Sequence, residues 1–235
     1  LNSVAINKTI DECARQGGGT VLIPRGSFVT GPIIMKSNIN LHLAKGALVI
    51  FSPDFNQYPL VVSTFEGVEA ARCQSPVTAE YLENIAITGE GIMNGNGFYW
   101  RPLQRSKMTE SEWKAHQKKY GGILTEDGKT WYSSAKALKG FTDKTIGKLA
   151  GGKTVKDFED VKDFLRPNMI RIFNCKNVRI QDVTFENSPA WTTHIQFSEH
   201  ITIKNLTVKN PWFGQNTDAL DLESSKNALV EDCHF

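Results

Sequence analysis

The sequence predicts an all-β fold in which short strands stack as the successive coils of a solenoid. Three stretches in the last third of the chain align without gaps and repeat one alternation of apolar and polar side chains. They span residues 175–185, 198–208 and 225–235. The first core position of each, Val178, Ile201 and Ala228, recurs after 23 and then 27 residues. A repeat of roughly 20 to 29 residues carried by short alternating strands is typical of a solenoid.

The chain opens with an amphipathic helix that we predict over residues 3–16. Ile6, Ile10 and Cys13 share one face at helical spacing. The glycines at 17–19 end the helix, because glycine stops a helical pattern readily. A helix at the end of a solenoid covers the open edge of the first coil, so we expect this one to act as a cap.

Alternating apolar and polar residues predict the strands of the first coils. These strands are 20–24, 28–30, 39–43, 48–50 and 82–87. Asn38, Asn84, Asn177 and Asn227 each precede the first core residue of a coil, and His200 stands in the same column. Asparagine at such a turn can bond the backbone of its own and neighbouring coils. We therefore predict a structural ladder that includes His200, and no catalytic role for it.

Residues 101–166 break the repeat, so we expect a single domain over residues 1–235 with an insertion inside it. The motif Thr109-x-x-Glu112 is a capping box that predicts one helix in the insertion, and Thr154-x-x-Asp157 predicts a second. An insertion between coils is expected on a loop face, where it can close one end of a groove or serve as decoration.

The repeat places polar side chains of two coils beside one another. In the 27-residue register His194 lies over Asp221, and Trp191 lies over Asp218. Side chains alternate faces along a strand, so His194 and Asp221 point outward together when their apolar neighbours point inward. Strands of neighbouring coils lie about 4.8 Å apart. We predict a polar cleft here; the alternative is a solvated surface pair of little energetic value.

Asp218 would share a face with Leu220 in an unbroken strand. That arrangement would bury a lone carboxylate, which is costly. We therefore predict that the chain bends near Ala219 and turns Asp218 toward the cleft, since such bends often lie beside active sites.

Composition excludes several classes of protein. The net charge of +2 does not favour nucleic-acid binding, and no run of apolar residues reaches the length of a membrane span. The four cysteines lack metal-type spacing. We expect no cofactor, no metal, no nucleic-acid or membrane partner, and a monomer. The chain starts at Leu1 and shows no signal peptide, so we expect it to be processed or trimmed.

Five stretches resemble the polygalacturonase family of glycoside hydrolases, of the family 28 type, which degrade pectin. They are residues 17–24, 41–46, 91–100, 187–194 and 216–221. In the last, Asn216-Thr-Asp218-Ala-Leu-Asp221 is similar to the family motif Asn-Thr-Asp-Gly-x-Asp. The resemblance implies a right-handed parallel β-helix, a galacturonan substrate and a secreted or periplasmic location. Ala219 replaces a family glycine and would be strained if its φ were positive.

The resemblance also implies the chemistry. It predicts hydrolysis of α-1,4 galacturonosyl linkages by an inverting mechanism, in which two carboxyl groups lie about 6.5–9.5 Å apart. Asp218 is the expected catalytic carboxylate. The expected supporting or substrate-binding residues are Asp221, His194, Asn216 and Trp191. The second carboxylate and the Arg and Lys substrate ligands are expected one coil beyond Phe235, so we expect a helix truncated on that side and a fragment without activity of its own. The insertion favours exo-type cleavage.

Two alternative functions stay open at this point. A pectate-lyase-like β-helix enzyme would need calcium and would release unsaturated products. A non-catalytic β-helix that binds carbohydrate, such as an adhesin, would hydrolyse nothing; the Asn-Thr-Asp motif argues against it.

Overall fold

The computed structural model describes all 235 residues, and most of them wind into a parallel β-helix. The α-helices are α1 Ser3–Arg15, α2 Glu110–Tyr120 and α3 Ala135–Thr142, and the 3₁₀ helices are Phe55–Gln57, Gly97–Tyr99, Arg105–Lys107 and Val155–Phe164. The strands are β1 Gly19–Ile23, β2 Gly26–Thr30, β3 Ile33–Ile34, β4 Ile39–Leu43, β5 Ala47–Phe51, β6 Leu60–Phe65, β7 Val68–Cys73, β8 Val77–Glu80, β9 Glu83–Thr88, β10 Ile92–Asn94, β11 Leu103–Gln104, β12 Ile123–Leu124, β13 Thr130–Tyr132, β14 Ile170–Phe173, β15 Lys176–Gln181, β16 Thr184–Glu186, β17 Thr193–Gln196, β18 Glu199–Lys204, β19 Thr207–Lys209, β20 Leu220–Glu223 and β21 Lys226–Glu231. No helix in this structure combines the length and the apolar character that a membrane span needs.

Three parallel sheets form the walls of the β-helix. The first stacks β1, β4, β9, β15, β18 and β21, and the second stacks β2, β5, β10, β16 and β19. The third sheet stacks β3, β8, β14, β17 and β20. The register is the one that the sequence repeat predicts, because Val178 pairs with Ile201, and Ile201 pairs with Ala228. The predicted columns of the solenoid are therefore confirmed.

The core fills the space between the three sheets with columns of apolar side chains, 30 of which form one buried cluster. Phe185 is an example: it pairs with Met93 below and Val208 above, and none of its surface is exposed. Burying one such side chain stabilises the fold by roughly 1.5–3 kcal/mol. In the last coil Leu222 and Val230 keep 40% and 38% of their surface exposed, since they are packed from one side only.

Helix α1 covers the first coil, as the sequence predicts. Ile6 and Ile10 are buried in the main core, and the helix contacts β1, β3 and β4. The chain leaves the helix through three glycines with positive φ. A Cβ atom on Gly18 would lie 2.3 Å from the carbonyl oxygen of Asn38, so only glycine fits there.

The predicted asparagine ladder is present on the first sheet. Asn84 donates to the Oδ1 of Asn38, and Asn177 donates to the Oδ1 of Asn84, both at 2.8 Å. Asn227 and His200 adopt the same left-handed backbone, with φ of 55° and 56°. Asparagine tolerates this conformation better than most residues, which explains its recurrence. His200 occupies the ladder column, as predicted.

Two segments leave the β-helix: the first contacts the outer side of the third sheet through Thr64, and the second packs against the first. One is the antiparallel hairpin β6–β7, and the other contains α2, α3, the short sheet β11–β13–β12 and the 3₁₀ helix Val155–Phe164. The capping box of Thr109 and Glu112 precedes α2, as predicted. The second predicted helix forms as the 3₁₀ helix. The hairpin, α3 and the short sheet were not predicted, because their residues carry no coil repeat.

Candidate active site

The polar residues predicted to form a cleft lie on the outer side of the third sheet. His194 of β17 pairs in register with Asp221 of β20, as predicted. The backbone N–H of Thr192 donates to the carbonyl of Asp218 at 2.7 Å, which extends the alignment of the two coils past the start of β20. Trp191 and Asp218 therefore lie at the same end of these two strands.

Asp218 is exposed, and the bend that the sequence demands is present. Strand β20 begins only at Leu220, which packs against the main core, and Ala219 forms a bend before it. The φ of Ala219 is not positive, so alanine is unstrained there. The left-handed residue of this loop is instead Asn216, with a φ of 54°. The bend frees Asp218 from the inward face, so its carboxylate meets solvent.

The loop that carries Asp218 is fixed by Asn210, which the sequence reasoning missed. Its Oδ1 accepts the backbone N–H of Ser188 at 2.8 Å. Its Nδ2 donates to the Oγ1 of Thr192 at 2.8 Å and to the carbonyl of Thr217 at 3.0 Å. The Asn210 side chain thus links Thr217, the residue before Asp218, to Ser188 and Thr192 of the preceding coil. Asn210 follows β19 as Asn187 follows β16, and that recurrence was the available signal.

His194 is buried, whereas the sequence predicted that it would line an open cleft. Its side chain is 1% exposed, because hairpin β6–β7 covers this part of the sheet. Asn168 Nδ2 donates to His194 Nδ1 at 3.0 Å, so the proton sits on Nε2, which donates to Glu223 Oε2 at 3.0 Å. Burial lowers the pKa of His194, although Glu223 opposes the shift. The neutral ring therefore bridges two side chains, and its partner is Glu223, not Asp221.

Asp221 holds its proton more tightly than an ordinary aspartic acid. Burial first, and then the negative charges of Asp218 and Glu223, raise the pKa of Asp221 to about 6. Its Oδ2 atom is buried and has no hydrogen-bond partner. A proton on Asp221 removes one negative charge from the neighbourhood of Asp218 and Glu223.

We predict a pH-dependent effect of Asp221→Asn on stability. Free aspartate loses its proton near pH 3.9, so between about pH 4 and 6 the folded chain binds a proton that the unfolded chain has lost. Raising the pH through this window therefore lowers the free energy of unfolding. The Asn variant has no titrating group at this position, so its free energy of unfolding does not fall in this way. We expect the variant to be more stable than the parent at pH 7 by about 1 kcal/mol, which corresponds to a rise in Tm of about 2–4 °C.

Melting curves of both proteins from pH 4 to pH 7.5 check this expectation. Asp232→Asn is the matched control, since Asp232 is an exposed acid of the same last coil. A difference in Tm between Asp221→Asn and the parent that is the same at pH 4 and pH 7 would contradict the assignment.

A cavity of about 220 Å³ adjoins this site, and Trp191 and Asn216 both line it. Its other walls come from hairpin β6–β7 and from the segment between β10 and β14. The Trp191 ring stacks on Phe65, with centroids 5.7 Å apart, and meets the edge of His194 at 5.1 Å. Asn216 places its Oδ1 3.4 Å from a guanidinium nitrogen of Arg166. The structure thus brings Trp191, His194, Asn216, Asp218 and Asp221 to one region.

A second cavity of about 290 Å³ continues from the first, and the two share Pro102, Tyr132, Phe141 and Gln215. Trp212 lies on its rim with 75% of its surface exposed, and the Lys107 ammonium lies 5.5 Å from the centre of its ring. Sugar rings commonly pack on exposed aromatic faces of this kind because their C–H groups are apolar. The two cavities therefore adjoin one another, and Trp191 lines the first.

Residues 151–235 match the profile of Glycosyl hydrolases family 28. A probable polygalacturonase from Vitis vinifera is 25% identical over 100% of this chain and 39% of its own length. An exo-poly-alpha-D-galacturonosidase from Dickeya chrysanthemi is 27% identical over 98% of this chain and 37% of its own length. The chain thus spans less than half the length of these curated relatives.

Solved structures agree with these relatives. An exopolygalacturonase from Thermotoga maritima is 32% identical, with a TM-score of 0.68, over 98% of this chain and 48% of the other. A family 28 exopolygalacturonase from Yersinia enterocolitica is 21% identical, with a TM-score of 0.66, over 100% of this chain and 40% of the other. The right-handed parallel β-helix is confirmed. The resemblance to polygalacturonases of glycoside hydrolase family 28 is likewise confirmed, over residues 151–235 by the family profile and over the full chain by individual relatives.

Proposed function

We propose that this chain belongs to a glycoside hydrolase that cleaves α-1,4 galacturonosyl linkages of pectin-type polysaccharide. The observation that carries the proposal is the position of Asp218. It is an exposed carboxylate within an Asn-Thr-Asp motif, and Asn216 and Trp191 beside it line a cavity. The similarity to polygalacturonases supports galacturonan as the substrate.

In the proposed mechanism Asp218 accepts a proton from a water molecule that attacks the anomeric carbon. A second carboxyl group protonates the oxygen of the leaving sugar, and the inverting geometry requires about 6.5–9.5 Å between the two groups. Of these two roles, we assign only the activation of water to a residue of this chain, Asp218. Asp221 and His194 support it: His194 holds Glu223 and Asn168 in place, and Asp221 limits the negative charge near Asp218 when it carries its proton.

We propose exo-type cleavage, because the cavity is closed by segments that leave the β-helix. Phe65 and Arg72 come from hairpin β6–β7, and Tyr132, Phe141 and Ile146 come from the segment between β10 and β14. An open groove would let a polymer pass through, whereas a walled end admits only the end of a chain. The names of the Dickeya and Thermotoga relatives, both exo-acting, support this choice.

We propose that residues 1–235 form one β-helix domain with residues 101–166 as its insertion. We further propose that the protein acts as a monomer and is secreted or periplasmic, where a polysaccharide substrate would be met.

The test is the product chemistry of the complete gene product on polygalacturonate. We expect reducing sugar to be released without products that absorb ultraviolet light, because hydrolysis creates no double bond. Exo-type cleavage predicts mono- or digalacturonate as the first products and a slow fall in viscosity. A neutral β-galactan serves as the matched substrate control and is expected to stay intact. Unsaturated products would contradict hydrolysis, and a rapid fall in viscosity with mixed oligomers would contradict exo-type cleavage.

A further inference from the structure

Two arginines line the cavity beside Trp191 without an acidic partner. The guanidinium of Arg166 donates to three oxygens, all of them uncharged: the carbonyls of Pro189 and Gln215, at 2.8 and 3.1 Å, and the Oδ1 of Asn216, at 3.4 Å. Arg72 lies on the ring of Phe65, with its guanidinium carbon 3.9 Å from the ring centre. None of the fourteen residues that line this cavity is an aspartate or a glutamate.

The charge of these two side chains is only weakly compensated. Burial, and then the charge of Arg166, lower the pKa of Arg72 to about 10, and burial lowers the pKa of Arg166 to about 10. Both groups stay charged at neutral pH. Two like charges held close together in a partly buried site are unfavourable unless an anion joins them. Most other basic residues of this chain that contact acids do so on the surface. Arg101 is also buried without an acidic partner, but it donates to the carbonyl of Ser188 and the Oδ1 of Asn187 and does not line the cavity.

We propose that Arg72 and Arg166 bind the carboxylate of the sugar acid that enters this cavity. Arginine presents a planar fork of N–H donors that matches a carboxylate, and such charge-assisted bonds are about twice as strong as neutral ones. The two arginines therefore select a free uronate over a neutral hexose or a methyl-esterified uronate. Naming the sugar acid as galacturonate rests on the proposed function; the selection of a carboxylate rests on the cavity itself.

Direct binding to the protein tests this proposal without any catalysis. The probes are D-galacturonate, its methyl ester and D-galactose, each titrated into the complete gene product and followed by calorimetry or NMR. We expect galacturonate to bind about tenfold or more tightly than the other two probes, since the charge-assisted bonds are absent with them. In Arg72→Met this preference should fall by about tenfold, while the affinity for galactose stays unchanged.

Arg72 is the cleaner position for substitution, because its close partner is an aromatic ring and not a backbone carbonyl. Arg166→Lys is the second variant: it keeps the charge and loses the fork, so we expect a smaller drop in preference. Arg179→Met is the matched control, since Arg179 is exposed on β15 of the first sheet. Circular dichroism confirms that each variant is folded.

Equal affinity for the three probes, or no binding of any of them, would overturn the proposal. A preference that survives in both Arg72→Met and Arg166→Lys would overturn it as well. The proposed function is tested separately. If the protein prefers galacturonate but leaves polygalacturonate intact, the arginine site is supported and the proposed function is wrong. If it hydrolyses polygalacturonate but binds the three probes equally, the proposed function is supported and the arginine site is wrong.

Discussion

Replacing Asp218 with asparagine is expected to lower kcat on polygalacturonate by about 10²–10⁴-fold, the range that proton transfer by a positioned side chain contributes. KM should change little. The amide keeps the size and the exposed position of the side chain and cannot take a proton from water. The loop should stay in place, because Asn210 holds its backbone and the side chain of Asp218 takes no part in that contact.

Initial rates of reducing-sugar release from the complete gene product, measured across substrate concentrations, check this result. Asp232→Asn is again the control and should retain the parent rate, since Asp232 is an exposed acid that does not line the cavity. A rate for Asp218→Asn within about threefold of the parent would remove Asp218 from the chemistry.

The second large effect is expected from His194→Ala, and it concerns stability. The substitution removes the partner of Asn168 and one of the two hydrogen bonds to Glu223, which is partly exposed and keeps the bond from Gln196. The loss of a partner costs about 1–3 kcal/mol where the remaining group is buried. The vacated space adds a cavity cost. We therefore expect the free energy of unfolding to fall by about 3–5 kcal/mol.

Urea unfolding of the variant and of two companions measures this effect. His194→Gln restores an N–H donor toward Glu223, so it should recover about half of the loss. His200→Asn is the matched control and should change stability by less than about 0.5 kcal/mol, because it extends the asparagine ladder with a residue suited to its left-handed backbone. A loss below about 1 kcal/mol for His194→Ala would show that this bridge does not hold the neighbouring coils together.

The coils and the position of Asp218 followed from the sequence, because both depend on local periodicity. Val178, Ile201 and Ala228 occupy one column as the repeat predicts. The conflict between the faces of Asp218 and Leu220 predicted the bend at Ala219. A strand of period two leaves few choices once its apolar face is known, so such inferences need no knowledge of distant contacts.

The surroundings of His194 could not be predicted in the same way. The strand pattern shows that His194 points away from the core, and it cannot show that hairpin β6–β7 lies on top of it. That cover depends on contacts between residues far apart in the chain, such as Thr64 with Gln196. The same reason hides Arg72 and Phe65, which reach the cavity from the hairpin and carry no signal in the repeat.

The position of Arg166 could be predicted from the sequence in part. It precedes β14, and its guanidinium reaches the carbonyl of Pro189 in the next coil. Extending the register of β14 and β17 outward from Ile170 and Thr193 would have placed Arg166 beside Pro189. The coil repeat is interrupted at the insertion, so the repeat alone does not point to Arg166.

A crystal structure of Asp218→Asn in the complete gene product with trigalacturonate bound would show whether the substrate binds beside residue 218. We expect a galacturonosyl ring in the cavity between Trp191 and Asn216, with its carboxylate within hydrogen-bond distance of Arg72 or Arg166. A glycosidic oxygen should lie near the side chain of residue 218. A sugar bound on another face of the β-helix, or one whose glycosidic bonds all lie far from residue 218, would contradict this expectation.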